Sequence, residues 1–542
     1  MALTFHPDDL ALGPLRYLLD FTWGGQTYHL SDGAYEIAFD GTTYTYTPGL
    51  EYDANLKDRS DLFQLTPSAS RATVVLHFAG LVNVPQRVAA GHDLRAATAR
   101  LWVWPEGSTT RLLVLDGECR EPAYGMPENE HAIEIDIVEL AHEDRGRFPD
   151  DPRAKVITTT THANPDSTPE GEWYPFVFGK PGNAGSGSGG AAPYVYATPG
   201  QLIDVSANVI LVADGITGGG SVRVKNVTTI TATNATVANT TDALGRRYSY
   251  VDTTSEAWAG AGGNVQPVGG DDLWVAWDVS SGGVIDVGGR AIEGAGDLIE
   301  YMLRRSSLRW DAGRVAAVKP LLNSYKLAGY IQPDPDERIS PWDWLRREIL
   351  PLLPVGVRSG PEGVYLIAFD PDGAAALVSL DTTLNCERTS SIVYDDADRY
   401  SEVRFSYEFR GGEDKPNAVA VLTGNTVTAA GEGVSLDPFL VAGRRLYGDN
   451  VLEKESPHVY EPATAIRICA WLARRHALPS RLVEYDVNPT LAYLEPGDYV
   501  SLTDAGVSLS KASAMVEQRD IRPDGRVLLQ LRLWPTLGDL RS

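Results

Sequence analysis

Cysteine is scarce in this sequence, and that scarcity removes two chemistries at once. The 542 residues hold three cysteines, Cys119, Cys386 and Cys469, far apart and without a CxxC pair. Neither a disulfide framework nor a cysteine-held metal is supported, and folding in a reducing cytosol is expected. The nine histidines show no HxxxH or HExxH spacing, so no zinc site is predicted. No GxSxG, Walker A or GxGxxG fingerprint precedes a helix; glycine-rich stretches such as ITGGGS lie between strand-like runs. No apolar run approaches the length of a membrane span. Met1 to Leu15 has neither the basic start nor the apolar run of a signal peptide. Positive charge is also in deficit: 47 basic residues face 72 acidic ones, a formal charge of −25. Such a chain repels nucleic acid and anionic membranes.

What is present describes a soluble, mostly β, multidomain protein. Hydrophobic content of 43% and charged content of 22% are ordinary for globular domains, and the length calls for several of them. The 53 glycines, many Thr and Val, and strand-like alternation favour strands and turns. The sequons at Asn226, Asn234 and Asn239 read as Thr-rich strand composition rather than glycan sites.

Helical periodicity concentrates between Ala291 and Asp370. Leu298, Ile299, Met302 and Leu303 share one face of a predicted helix, with Glu300, Arg304 and Arg305 pointing outward. A polar stretch ending in LLNSYKLAGYIQ follows. Ser340 then offers an N-cap hydroxyl, Pro341 fits the first helical position, and Asp343 completes a capping-box pattern. Trp342, Leu345, Ile349 and Leu350 form the stripe expected to be buried, and GVYLIAFD supplies a strand.

The chain divides around that module. Residues 1–150 read as an N-terminal β-barrel, with hairpin signals at Gly24-Gly25 and Asp40-Gly41. Within it Ile133, Ile135 and Ile137 alternate with Glu134, Asp136 and Glu139, one face for a core and one for water. Residues 151–194 are an extended segment ending in the Gly/Ser-rich linker NAGSGSGGAAP. Residues 195–285 form an inserted β-rich domain, and 286–372 the helical α/β module. Residues 373–542 read as a second β-barrel with one helix, whose face is assigned to Ala465, Ile466, Cys469, Leu472, Ala473 and His476; Gly411 to Gly448 reads as a loop-rich excursion.

Candidate chemistry is thin. Asp395, Asp396 and Asp398, or Glu128, Glu130 and Glu134, could supply a glycosidase acid pair, but 72 acidic residues produce such groups by chance. Solvated loop charge is the better account. The basic pairs Arg304-Arg305, Arg346-Arg347 and Arg474-Arg475 sit on predicted helices, where outer-face charge is the simpler reading and a subunit contact the functional one. Trp102 with Trp104, or Trp274 with Trp277, could stack on sugars, yet period-two aromatics also suit the core face of a strand. No catalytic residue, metal ligand or cofactor site is assigned, and the chain is expected not to be an enzyme.

The order of elements is more specific. IEGAGDLIEYMLRRSS, LNSYKLAGYIQPD, SPWDWLRREILPLLP and GVYLIAFDPDG, followed by YDDADRYSEVRFSYEF, a helix, LAYLEPGDYVSLTD and DGRVLLQLRLWP, resemble the tail-tip (baseplate) hub proteins of long-tailed bacteriophages and gene transfer agents. The most recognisable string is Glu495-Pro496-Gly497-Asp498, after Leu494. The resemblance implies two hub-type β-barrels flanking the helical module, and a homotrimer whose six barrels match a six-fold tail tube and distal tail ring above and a three-fold tip below. It implies further partners: the tape-measure protein, and other tail-tip proteins or a central fibre. DNA would pass through the lumen without specific binding, in a virion tail tip assembled in the bacterial cytoplasm. The chain departs from some relatives in lacking the cysteines of an iron–sulfur domain and any lysozyme-like unit. Arg304, Arg305, Arg346, Arg347 and the Glu495–Asp498 turn are the suspected contact or structural residues. The rival reading is a glycan-binding or cell-wall-glycan hydrolysing tail-associated protein.

Overall fold

The computed structural model describes residues 14–39, 41–52, 56–59, 71–78, 81–126, 129–139, 146–148, 156–182, 195–215, 221–260, 264–277, 292–333, 338–360, 362–395, 398–409, 415–425, 434–522, 524–536 and 540. Strands make up 46% and helices 18%, with a closed barrel and a half-barrel among several domains, so the fold is mostly β as expected. The linker NAGSGSGGAAP, Glu128 and Asp396 lie outside the described residues.

The first sheet has nine strands drawn from residues 15–139, with one short helix, α1 (Val84–Ala89), packed beside it. Its opening hairpin joins Leu15–Trp23 to Gln26–Ser31 through Gly24 and Gly25, at φ +58° and +77°. That left-handed pair is what a two-residue hairpin turn demands and what glycine supplies without a Cβ penalty. The alternation in Asn129–Glu139 holds on the apolar side, where Ile133, Ile135 and Ile137 are fully buried. On the other side Glu134 is exposed but Asp136 is buried, where Thr73 Oγ1 donates to its carboxylate at 2.6 Å across the paired strand. Thr73 is thus a partner that periodicity alone does not reveal.

The second barrel-like sheet comes from residues 378–394 and 481–533. It receives a strand from the N-terminal arm: Leu56–Arg59 pairs antiparallel with Leu509–Ile521, Gln518 opposite Arg59. The two sheets share one hydrophobic cluster, from Leu15, Phe21 and Ile135 on one side to Tyr485, Val516 and Leu531 on the other. Burying one common core removes more apolar surface from water than two separate sheets could, so the barrels sit side by side.

Two further sheets stand apart from this pair. One, seven-stranded, occupies residues 198–277, and the other, four-stranded, occupies residues 402–455 and carries two helices. The segment 373–542, expected as one barrel with one helix, is therefore split by an inserted α/β unit. Its additional helix, α5 (Pro438–Tyr447), lies inside the expected loop-rich stretch. Asp437 caps it, accepting from the Phe439 and Leu440 N–H groups at 2.9 and 3.1 Å, with Pro438 at the first helical position. In α6 (Pro462–His476) the buried face is Ala465, Ile468, Cys469 and Leu472, at i, i+3, i+4 and i+7. Ile466, assigned to that face from the sequence, is 48% exposed.

The central module is as helical as expected and contains one helix more. Helix α2 (Ala295–Leu303) buries Leu298, Ile299, Met302 and Leu303. The stretch read as polar contains α3 (Ala312–Leu322), capped by Asp311, which accepts from the Arg314 N–H at 3.0 Å. Helix α4 (Pro341–Trp344) starts at Ser340, whose Oγ accepts from the Asp343 N–H at 3.1 Å, and continues as a π turn and a 3-10 turn to Leu352. A hairpin, Val355–Gly360 with Gly363–Ala368, closes the module. Its core is continuous with those of the seven-stranded and four-stranded sheets, and Trp471 of α6 donates its indole N–H to the Leu352 carbonyl at 3.0 Å.

Candidate functional site

The turn Glu495–Asp498 is where the second barrel meets the helical module. It follows a 3-10 turn, Pro489–Tyr493, and precedes the strand Tyr499–Asp504. Asp498 holds the turn closed by accepting the Glu495 N–H on Oδ2 at 2.7 Å. The Gly497 N–H donates to the Val516 carbonyl at 2.7 Å, and the Val516 N–H to the Asp498 carbonyl at 2.8 Å, which fastens the turn to the barrel. Gly497 lies at φ +100°, and a Cβ there would sit 2.6 to 2.7 Å from the Ile367 side chain. Glycine is therefore required twice, by conformation and by the close approach of the module's hairpin.

The charges converge on the same spot. Glu495, 13% exposed at its side chain, is paired with Arg314 of α3 and accepts from the Tyr365 hydroxyl at 3.3 Å. The Arg314 guanidinium also lies over the Tyr365 ring, 4.3 Å from its centroid. Arg358 of the module's hairpin and Arg519 of the barrel are both buried nearby, and Arg519 donates to the Ala492 carbonyl at 2.8 Å. Burial alone would raise the Glu495 pKa, but attraction to Arg314, Arg519 and Arg358 outweighs it and holds the group below the usual carboxylate range. Burial has the upper hand at Asp498 and, with the Glu495 charge beside it, pushes that carboxyl up to about 6. Burial lowers the Arg358 pKa as well. Breaking such a cluster strands buried charge, so it fixes how the barrel sits on the module rather than adding much net stability. Farther along the same seam the Tyr499 hydroxyl accepts the Asp370 N–H at 3.0 Å, and Arg474 of α6 grips Asp372 at 2.8 and 3.0 Å.

The other suspected residues do not join this site. Arg304 pairs with Glu300 one turn back along α2, and Arg305 lies over its own Tyr301 ring at 3.6 Å. Arg346 reaches Asp343 at 3.4 Å, and Arg347 reaches Glu348 at 2.7 Å. These are outer-face helix charges balanced locally. Sequence reading missed Arg314, Arg358, Tyr365 and Arg519. Arg358 gave the one usable signal, a charge inside the apolar strand run VGVRSG.

The remaining candidates take structural places. Asp395 is held by Arg399 and by Arg532 at 3.0 Å, inside a seam that also ties Arg532 to Glu517 at 2.7 Å. Trp104 is buried and donates to the Ser108 carbonyl at 2.8 Å. Trp102 is half-buried, donates to Asp20 at 2.9 Å and carries Arg111 over its ring at 3.9 Å. Trp277 is buried, whereas Trp274 is half-buried at the edge of a cleft. Asn226 is buried and donates to Asp271 at 2.7 Å, which suits a strand residue and not a glycan acceptor. All three cysteines are buried free thiols.

Residues 439–517 match the family described as "Putative phage tail protein". The matched segment runs from α5 through α6 to the Glu495–Asp498 turn and into the strand Leu509–Ile521. No curated protein matches the chain. Among solved structures, it is similar to the tail protein from Neisseria meningitidis MC58, at 10% identity over 96% of each chain with a TM-score of 0.38. It is similar also to the 43 kDa tail protein of prophage MuSo2 from Shewanella oneidensis, at 10% identity, 97% of this chain, 100% of that chain and a TM-score of 0.33. A third is prophage tail protein gp18 from Listeria monocytogenes, at 7% identity, 97% of each chain and a TM-score of 0.34. Scores this low leave the family match to carry the reading, which is that of a bacteriophage tail protein and hence a virion component.

Proposed function

We propose that, within the phage tail, this chain is the trimeric hub of the tail tip. Three copies would set six barrels in a ring beneath the tail tube and distal tail ring, and present three-fold symmetry to the tip below. The observation that carries this reading is the pair of barrel-like sheets sharing one core, with the strand Leu56–Arg59 of one arm inserted in the sheet of the other. Such a pair behaves as one rigid body, as a subunit that imitates two positions of a six-fold ring must. The Glu495–Arg314 cluster would then hold the helical module at a fixed angle to the ring.

The hub would work by assembly and gating, without bond chemistry: it closes the tube until infection and then lets the tape-measure protein and DNA pass. The formal charge of −25 supports passage of DNA without specific binding, because like charge keeps it off the wall. A basic or apolar channel in the assembled ring would overturn that part. Other tail-tip proteins or a central fibre would dock below. The experiment is a mass measurement in solution and on isolated tails. Three 58.7 kDa chains per particle support the hub, and a monomer both in solution and on the tail overturns it.

A further inference from the structure

The seven-stranded sheet, the helical module and the four-stranded unit meet around an open cleft of about 420 Å³. Its walls are aromatic. Trp274 comes from the seven-stranded sheet, Tyr330 and Trp344 from the module, and Phe409, His458 and Tyr460 from the four-stranded unit or the segment leading to α6. Trp274, Tyr330 and Phe409 are half-buried, so part of each ring faces the opening. The polar groups are few and held in place. The Gln332 amide donates to Glu172 at 3.1 Å and to the Trp173 carbonyl at 2.8 Å, which fixes the orientation of its own carbonyl oxygen. Arg347 stands at the rim, 70% exposed at its side chain, with its charge offset by Glu348.

Two polar atoms of the lining residues are closed off beneath the wall. The Trp274 Nε1–H and the His458 Nδ1 are buried and have no hydrogen-bond partner among the described residues. His458 is 8% exposed, and its burial pushes its pKa down to about 4, so the imidazole is neutral at ordinary pH and adds no charge to the wall.

We propose that this cleft binds a neutral saccharide unit, with a pyranose ring stacked on the Trp274, Tyr330 or Phe409 faces and its hydroxyls met by Arg347 and Gln332. The volume suits a small ligand. Flat aromatic faces beside a few fixed planar amide and guanidinium groups match a pyranose, which alternates C–H faces with equatorial hydroxyls. An anionic ligand finds only Arg347, already paired, and a nucleotide approaches a strongly acidic chain. This proposal does not rest on the hub reading: the cleft is lined by residues of one chain.

The test is saturation-transfer NMR and calorimetry with glucose, galactose, N-acetylglucosamine and their β-linked disaccharides, on the full chain and on Trp274→Ala, Phe409→Ala and Arg347→Ala. Saturable binding of at least one sugar is expected, weakened about tenfold by removal of a stacking ring. Arg347 is exposed, so its variant folds and decides the matter if Trp274→Ala does not. No binding by any of these sugars at millimolar concentration overturns the proposal. So does binding that the folded variants leave unchanged.

Discussion

Replacing Gly497 by alanine should loosen the barrel from the helical module, and the size of the effect can be worked from two separate causes. The residue sits at φ +100°, where an L side chain costs about 1–2 kcal/mol. The new Cβ would also lie 2.6 Å from Ile367, a β-branched side chain that is 5% exposed and has little room to turn away. Overpacking of that kind costs a further 1–3 kcal/mol or so, for a total of about 2–5 kcal/mol. Gly525 is the internal control. It is also in the left-handed region, at φ +82°, but a Cβ there meets nothing nearer than 3.7 Å. Gly525→Ala should therefore show the conformational cost alone. Urea unfolding followed by tryptophan fluorescence compares the two, and Ile367→Ala should restore part of the loss at Gly497 because the residues are in contact. Equal costs at Gly497 and Gly525, or no rescue by Ile367→Ala, would refute the close docking of the turn on the hairpin.

Glu495→Ala should cost about 3–5 kcal/mol by removing the buried carboxylate that Arg314, Arg519 and Arg358 face, whereas Glu348→Ala, which removes the partner of exposed Arg347 and a weaker contact 3.8 Å from neutral His458, should change stability by less than about 1 kcal/mol; thermal melts separate them. The Asp498 carboxyl titrates at about 6 in the fold against an ordinary 3.8, so its contribution is fully present below about pH 4 and is lost as pH rises through 6. Glu495, held low, has the opposite sign and loses its contribution only as pH falls below the usual carboxylate range. Stability measured from about pH 5 to 7 should therefore fall in the native chain by about 1–1.5 kcal/mol through Asp498 and lose that slope in Asp498→Asn; an unchanged slope contradicts the assignment. Ser340→Ala should cost about 1 kcal/mol through the lost cap on α4, read by the same melts.

Strands with strict alternation and helices with a strong stripe were legible in the sequence, because burial on one face writes a period that survives in any context. Ile133, Ile135 and Ile137 show this, as do Leu298, Ile299, Met302 and Leu303. Helix α3 was not legible by that route: only Val315 and Leu322 are buried, and Gly313 and Pro320 argue against a helix. Its Asp311 cap was a usable signal, as was the Asp437-Pro438 start of α5, which mirrors the Ser340-Pro341 start of α4. The site was half legible. The Glu495–Asp498 turn stands out as a string, but its partners Arg314 and Arg358 lie 181 and 137 residues earlier. Only the fold brings such distant charges together. The outer-face arginines lie away from this site, and exposed charge on a helix looks alike in sequence whether it meets a subunit or its own neighbouring acid.

The most direct test of the hub assignment is an image of the intact tail with this chain labelled at an exposed position such as Leu384, which is 83% exposed. Three labels related by three-fold symmetry at the distal end of the tube are expected. Labels spread along the tube, six equivalent labels, or none in the virion would contradict the account.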